Sequence, residues 1–78
     1  MREIHVFLGT IDRVKEFVNT VSRWDCDVDI AAGRYVIDAK SIMGIFSIDL
    51  SKPVCVGIHA EGEEAENAVQ AIRGFVVK

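Results

Sequence analysis

Two histidines, two cysteines and a handful of hydroxyl and carboxylate side chains are the groups here with the means to do chemistry. His5 and His59 each stand at an outward position of a stretch that alternates apolar and polar residues, and Asp27 and Asp29 do the same in a third stretch. Two imidazoles and a carboxylate on one sheet face have the right types for a metal ion, but nothing in their spacing fixes a geometry. The expectation is therefore two solvated histidines and no metal. Cys55, on the same face, offers a ligand or a thiol nucleophile, yet no helix N-terminus points at it to lower its pKa. Glu61, Glu63, Glu64 and Glu66 form an acidic cluster that compensation of a helix dipole explains without a basic partner. Asp25, Asp27 and Asp29 read as the polar half of a strand, and paired carboxylates for acid or base work need a cleft. The chain has no P-loop, no dinucleotide fingerprint and no nucleophile–base pair, so neither enzyme nor cofactor is expected.

These groups must be held by elements that the pattern defines. Residues 3–8 alternate, with Ile4, Val6 and Leu8 on one face and Glu3, His5 and Phe7 on the other, as a half-buried strand does. Phe7 is the apolar residue out of place on the wet side. Thr10 is a natural N-cap, Asp12 sits in the first turn, and Ile11, Val14, Phe17, Val18, Val21 and Trp24 share one helical face, which predicts about four turns. Residues 26–30 and 34–38 then form a hairpin about an Ala31-Ala32-Gly33 turn. Ser41 caps a short helix over residues 41–46. Residues 54–59 alternate again, and a last helix opens on Glu63, Glu64 and Glu66, buries Ala65, Ala68, Val69, Ile72 and Val76, and closes with Arg73 and Lys78. Strand, helix, strand, strand, short helix, strand, helix in one small domain implies an antiparallel or mixed four-stranded sheet with its helices on one face. Cys26 then points inward and Cys55 outward, which excludes a disulfide between them.

Composition narrows the classes of function. Half of the 78 residues are apolar and 27% are charged, a globular balance. No repeat, linker or low-complexity run divides the chain, so residues 1–78 are read as a single domain. A chain of this size buries about 60% of its unfolded surface, so function is expected on a surface rather than in a deep cavity. A net charge of −3 gives no footprint for nucleic acid or an anionic membrane. The first eight residues carry Arg2, Glu3 and His5 and read as neither a signal sequence nor a spanning segment, so the expected compartment is the cytoplasm.

The run Lys40-Ser41-Ile42-Met43-Gly44-Ile45-Phe46-Ser47, followed by a loop, a strand and Ala60-Glu61-Gly62-Glu63-Glu64-Ala65, resembles the HPr family, the small phosphocarriers of the bacterial sugar phosphotransferase system. The form it resembles is that of low-GC Gram-positive bacteria, over roughly residues 14 to 77. The resemblance implies an α+β open-faced two-layer sandwich of order βαββαβα, with a sheet of order 1-4-2-3 and helices on one face. The family carries phosphate on a histidine in a Gly-x-His-x-Arg-Pro segment before the first helix. This chain departs there, because Thr10 falls where the histidine belongs and Asp12 replaces the arginine, leaving Arg13 as the cation. A phosphohistidine needs an imidazole nucleophile and positive charge or amides around the phosphoryl oxygens. A threonine beside a carboxylate supplies neither, so carrier chemistry is not expected.

The family's second site, a serine phosphorylated by an ATP-dependent kinase, corresponds to Ser41. A cap and a phospho-acceptor need the same residue at the same place, so the sequence leaves both open for Ser41. Lys40, Ile42, Met43, Phe46 and Ser47 are the positions expected to meet a protein partner, a kinase or regulator of the HPr type. The opposing account is that three apolar residues on one turn usually face inward. The leading expectation is a regulatory or adaptor protein, monomeric or weakly dimeric. The alternatives are a phosphocarrier with an altered loop, for which His5 is the one nearby histidine, and a small domain that self-associates through its wet face or binds metal.

Overall fold

The computed structural model describes residues 1–77; Lys78, read above as closing the last helix, lies outside the described residues. In chain order the elements are β1 (Arg2–Val6), α1 (Ile11–Val21), β2 (Val28–Ala32), β3 (Tyr35–Asp38), α2 (Ile42–Phe46), β4 (Val54–Ile58) and α3 (Gly62–Ala71), with a 3-10 turn at Arg73–Phe75. The sheet has the order β1-β4-β2-β3 and every neighbouring pair is antiparallel. The element order implies an antiparallel or mixed four-stranded sheet under its helices, and the strand order found is the one the resemblance implies.

Register explains which side is dry. Ile4, Val56, Ile30 and Ile37 stand opposite one another across all four strands, giving an apolar row under the helices. The next row, on the other face, is Glu3, Gly57, Asp29 and Asp38. A one-residue slip would exchange these rows, so hydrophobic burial fixes the pairing. Val14, Phe17 and Val21 of α1, Ile45 of α2, and Ala65 and Ala68 of α3 close the core from above.

Several boundaries differ from the sequence expectation for identifiable reasons. α1 ends at Val21, about three turns in, and Trp24 lies beyond it, half-buried against the core from the following loop. Ile11 stands on the first turn but is 59% exposed instead of joining the buried stripe. The hairpin loop is Gly33-Arg34 and not Ala31-Ala32-Gly33: Ala32 still pairs with Tyr35, and only Gly33 has the positive φ, 61°, that a two-residue loop with glycine first requires. β2 therefore begins at Val28, and Cys26 precedes it, half-buried against the core. Both cysteines are free.

The largest departure is at the C-terminus. Val76 was expected in a helical stripe, but α3 stops at Ala71 and the chain turns so that Phe75 enters the core, its ring edge-on to Phe17 at 5.5 Å. Val76 then bridges to Val6, the Val77 N–H donates to the His5 carbonyl, and the Phe7 N–H donates to the Phe75 carbonyl. Packing a large aromatic and satisfying the outer edge of β1 together outweigh one more helical turn. Phe7 lies past the end of β1 with its ring against Gly9, so it is not part of the wet-face rows. Among the described residues no helix is long and apolar enough to cross a membrane.

Candidate functional site

Thr10 has extended backbone angles (φ −126°, ψ 160°) and its Oγ1 accepts the Arg13 N–H at 3.2 Å, so its oxygen closes the first turn of α1. Asp12 occupies the same turn. Arg13, the cation expected beside a phosphoryl group, is directed elsewhere. Its Nε donates to the Leu8 carbonyl at 3.0 Å, and one terminal nitrogen donates to the Phe7 carbonyl at 2.9 Å and the Gly74 carbonyl at 3.4 Å. The guanidinium also lies 4.7 Å from the centre of the Phe75 ring. Arg13 thus ties the loop before α1 to the C-terminal turn, a role invisible in the sequence because Gly74 is 61 residues away.

At the head of α2 the cap is chemically the same. Ser41 has φ −99° and ψ 105°, and its Oγ accepts the Gly44 N–H at 3.2 Å. A β-carbon on Gly44 would stand 3.3 Å from the Ser41 hydroxyl and 3.7 Å from the Ile37 side chain, which shows how closely this helix approaches its cap and β3. Ser47 closes the helix, its hydroxyl and N–H both donating to the Gly44 carbonyl. The Lys40 ammonium, expected beside a partner or phosphate, instead donates to the Trp24 carbonyl at 2.7 Å and secures the loop after α1.

Of the two accounts of Ile42, Met43 and Phe46, inward packing applies only to Ile42, and only in part. Ile45 is the fully buried residue of α2, Met43 is 77% exposed, Phe46 39%, and Ile42 half-buried. One helical turn has room for one residue aimed at the core, and the i, i+3 spacing of Ile42 and Ile45 puts them, not Met43, on the inner side. Ile11, also exposed, sits on α1, which packs against α2. Ser41, Met43, Phe46 and Ile11 are therefore surface groups on two touching helices, whereas Lys40 is a bracing residue. A signal for Ile11 existed in its place at the first helical position, ahead of the turns that cover the sheet.

On the opposite face His5 and His59 are too far apart to share an ion. His5 stands opposite Cys55, and His59 is four residues further along the same direction, roughly 13 Å at strand rise. His59 instead makes a 2.6 Å contact from Nε2 to the Asp29 carboxylate, above the space left by Gly57. Cys55 lies 4.0 Å from a Glu3 oxygen, and burial first, then the Glu3 and Asp29 charges, push its thiol above the ordinary range. That arrangement suppresses thiolate rather than activating it. The acidic cluster divides as well: Glu63 and Glu64 lie in the first turn of α3, while Glu61 takes the N-terminal ammonium at 2.9 Å and Glu66 takes Arg2 at 3.1 Å. The ammonium contact lowers the Glu61 pKa.

Known structures share this architecture. The protein HPr-C-His from Thermoanaerobacter tengcongensis matches with a TM-score of 0.77 at 26% identity, over 95% of this chain and 89% of that one. The phosphocarrier protein HPr of Bacillus anthracis matches with a TM-score of 0.71 at 28% identity, over 97% and 94%. A Mycoplasma histidine-containing phosphocarrier protein, 19% identical, has the same fold, with a TM-score of 0.74 over 94% and 89%. The family model described as the PTS HPr component phosphorylation site matches residues 13–78, beginning three residues after Thr10. With that match covering α1 from Arg13 onward, α2 and the entire sheet except β1, this chain belongs to the HPr family of phosphotransferase-system phosphocarriers.

Proposed function

We propose that this HPr-family chain acts as a regulatory or adaptor protein rather than as a histidine phosphocarrier. It meets a protein partner through the α2 surface, with Ser41 as the site a kinase modifies. The observation that carries this reading is the commitment of Arg13 to three backbone carbonyls while Met43 and Phe46 remain open to solvent. A phosphoryl group at the head of α1 would find a threonine already used as a cap and a carboxylate beside it. His5 is a poor substitute nucleophile, since its backbone is held in β1 between the β4 ladder and the Val77 N–H.

Ser41 is exposed, and replacing its single cap bond by a phosphate in the same place leaves the core residue Ile45 undisturbed. Met43, Phe46 and Ile11 supply apolar area for a partner, with Ile42 and Ser47 at the margin. The compartment that fits this role is the cytoplasm.

Intact mass spectrometry tests the reading. The protein is incubated separately with the ATP-dependent HPr kinase and with phosphoenolpyruvate plus the first enzyme of the phosphotransferase system. One phosphate gained only from the kinase and lost in Ser41→Ala supports the adaptor reading. A phosphate gained from phosphoenolpyruvate overturns it in favour of a carrier with an altered loop.

A further inference from the structure

The two edges of the sheet are not alike. The outer edge of β1 is covered by the C-terminal segment, through the Val6–Val76 bridge and the bonds joining Phe7 and His5 to residues 75 and 77. Among the described residues nothing comparable covers β3. Its Tyr35 is 64% exposed and its Val36 69%, and residues 34–38 contain no proline, no lysine and no bulge, the usual devices that keep an edge from pairing.

Backbone polarity along β3 follows from the hairpin. A two-residue loop makes Ala32 and Tyr35 a hydrogen-bonded pair, and alternation makes Ile30 and Ile37 the next one. Tyr35 and Ile37 therefore direct their N–H and C=O groups toward β2. Val36 directs both of its groups outward, while the Asp38 carbonyl already accepts the Ser41 N–H.

The side chains at those outward positions are self-complementary. In an antiparallel pairing of two β3 strands centred on Val36, residue numbers opposite each other have a constant sum, so Val36 meets Val36, Tyr35 meets Ile37, and Arg34 meets Asp38 twice. The alternative centre, Ile37, would set Val36 against Asp38 and Arg34 against Lys40, a like charge. Only the first register matches apolar with apolar and places opposite charges face to face. It also brings an opposite charge beside a like-charge pair within each chain. Asp38 stands directly opposite Asp29 on β2, a like-charge pair, and an arginine arriving on the other flank of Asp38 offsets that repulsion.

We propose that the β3 edge is a self-recognition surface, on which two copies of this chain pair Val36 to Val36 about a two-fold axis, Arg34 of each opposite Asp38 of the other. The contact is isologous and closed, so it yields a dimer with one continuous eight-stranded sheet and no open-ended fibre. Both flanking edges of that sheet are β1 strands already covered by the C-terminal segments. The seam lies along the hydrogen-bonding edge and does not involve Phe7.

Amide exchange by NMR combined with sedimentation velocity, from about 10 μM to about 1 mM protein, tests the pairing. The Val36 amide is expected to gain protection as concentration rises, while Tyr35 and Ile37, already bonded to β2, are protected throughout. Arg34→Glu and Asp38→Arg are each expected to weaken association by about 10- to 100-fold, and the double variant Arg34→Glu/Asp38→Arg to restore it. Asp38→Arg also removes the acceptor of the Lys40 N–H. Should it fail to fold, Val36→Pro, which deletes only an outward N–H, is expected to abolish the dimer instead. A Val36 amide whose exchange is independent of concentration up to about 1 mM overturns the proposal, and so does a dimer unaffected by Arg34→Glu.

Discussion

The heads of α1 and α2 carry the same device with different consequences. Thr10 and Ser41 both have extended backbone, both accept the N–H three residues on, and both do so at 3.2 Å. Around Thr10 the neighbouring cation is already engaged, because Arg13 reaches back to carbonyls at 7, 8 and 74 and lies against Phe75. Around Ser41 the following residues are apolar and the turn presents Met43 and Phe46 to solvent. A hydroxyl cap is thus a local solution to unpaired amides, and what it can do beyond capping depends on the residues the fold brings beside it.

The contrast between a sealed helix head and an open one can be broken by substitution. Ile45→Ala removes the single core anchor of α2 and should cost about 2–4 kcal/mol by urea unfolding. A much smaller loss would mean that α2 docks through its rim and that its surface is less defined than described. Arg13→Ala should cost about 2 kcal/mol, since it deletes a charged donor shared by three carbonyls. Its urea midpoint should fall together with the exchange protection of residues 75–77, and an unchanged midpoint would return Arg13 to the pool of cations free to meet a ligand.

Finer effects sharpen the comparison. Thr10→Ala and Ser41→Ala should each cost about 1 kcal/mol in thermal or urea unfolding, and equal losses would establish that the two caps differ only in their surroundings. Met43→Ser should leave stability within about 0.5 kcal/mol, while weakening whatever partner the α2 surface binds, as read by titration calorimetry. Last comes the loop leaving α2. Asp49 accepts both the hydroxyl and the N–H of Ser51, at 2.6 and 2.9 Å, and these bonds lower its pKa. With the folded pKa depressed, the contribution is complete above the unfolded value and disappears as pH falls through the folded one. Asp49→Asn should therefore lower neutral stability slightly and leave acid stability unchanged, flattening the acid limb by the same small amount because the carboxylate is exposed.

Much of the fold was legible because its signals are local and periodic. Alternation at residues 3–8 and 54–59 marked β1 and β4, and the stripe Val14, Phe17 and Val21 marked α1. The end of α3 was not legible. Ala68, Ile72 and Val76 continue a helical spacing, and only the fit of Phe75 against Phe17 and the bare edge of β1 make the chain turn away. The candidate site divides in the same manner. Ser41 followed from its place before an apolar turn, but the choice of Ile45 as the buried residue of that turn and the diversion of Lys40 to the Trp24 carbonyl did not.

By itself the sequence determined the elements, their order, the two caps and the presence of a threonine rather than a histidine at the head of α1. Each of those rests on residues within a few positions of one another, where backbone geometry and side-chain type suffice. Tertiary structure alone decided that Arg13 is a clamp, that Met43 faces water, that His5 and His59 stand apart, and that β3 is the uncovered edge. Those outcomes turn on groups brought together from distant parts of the chain, and which surface is left over is known only once the core has closed.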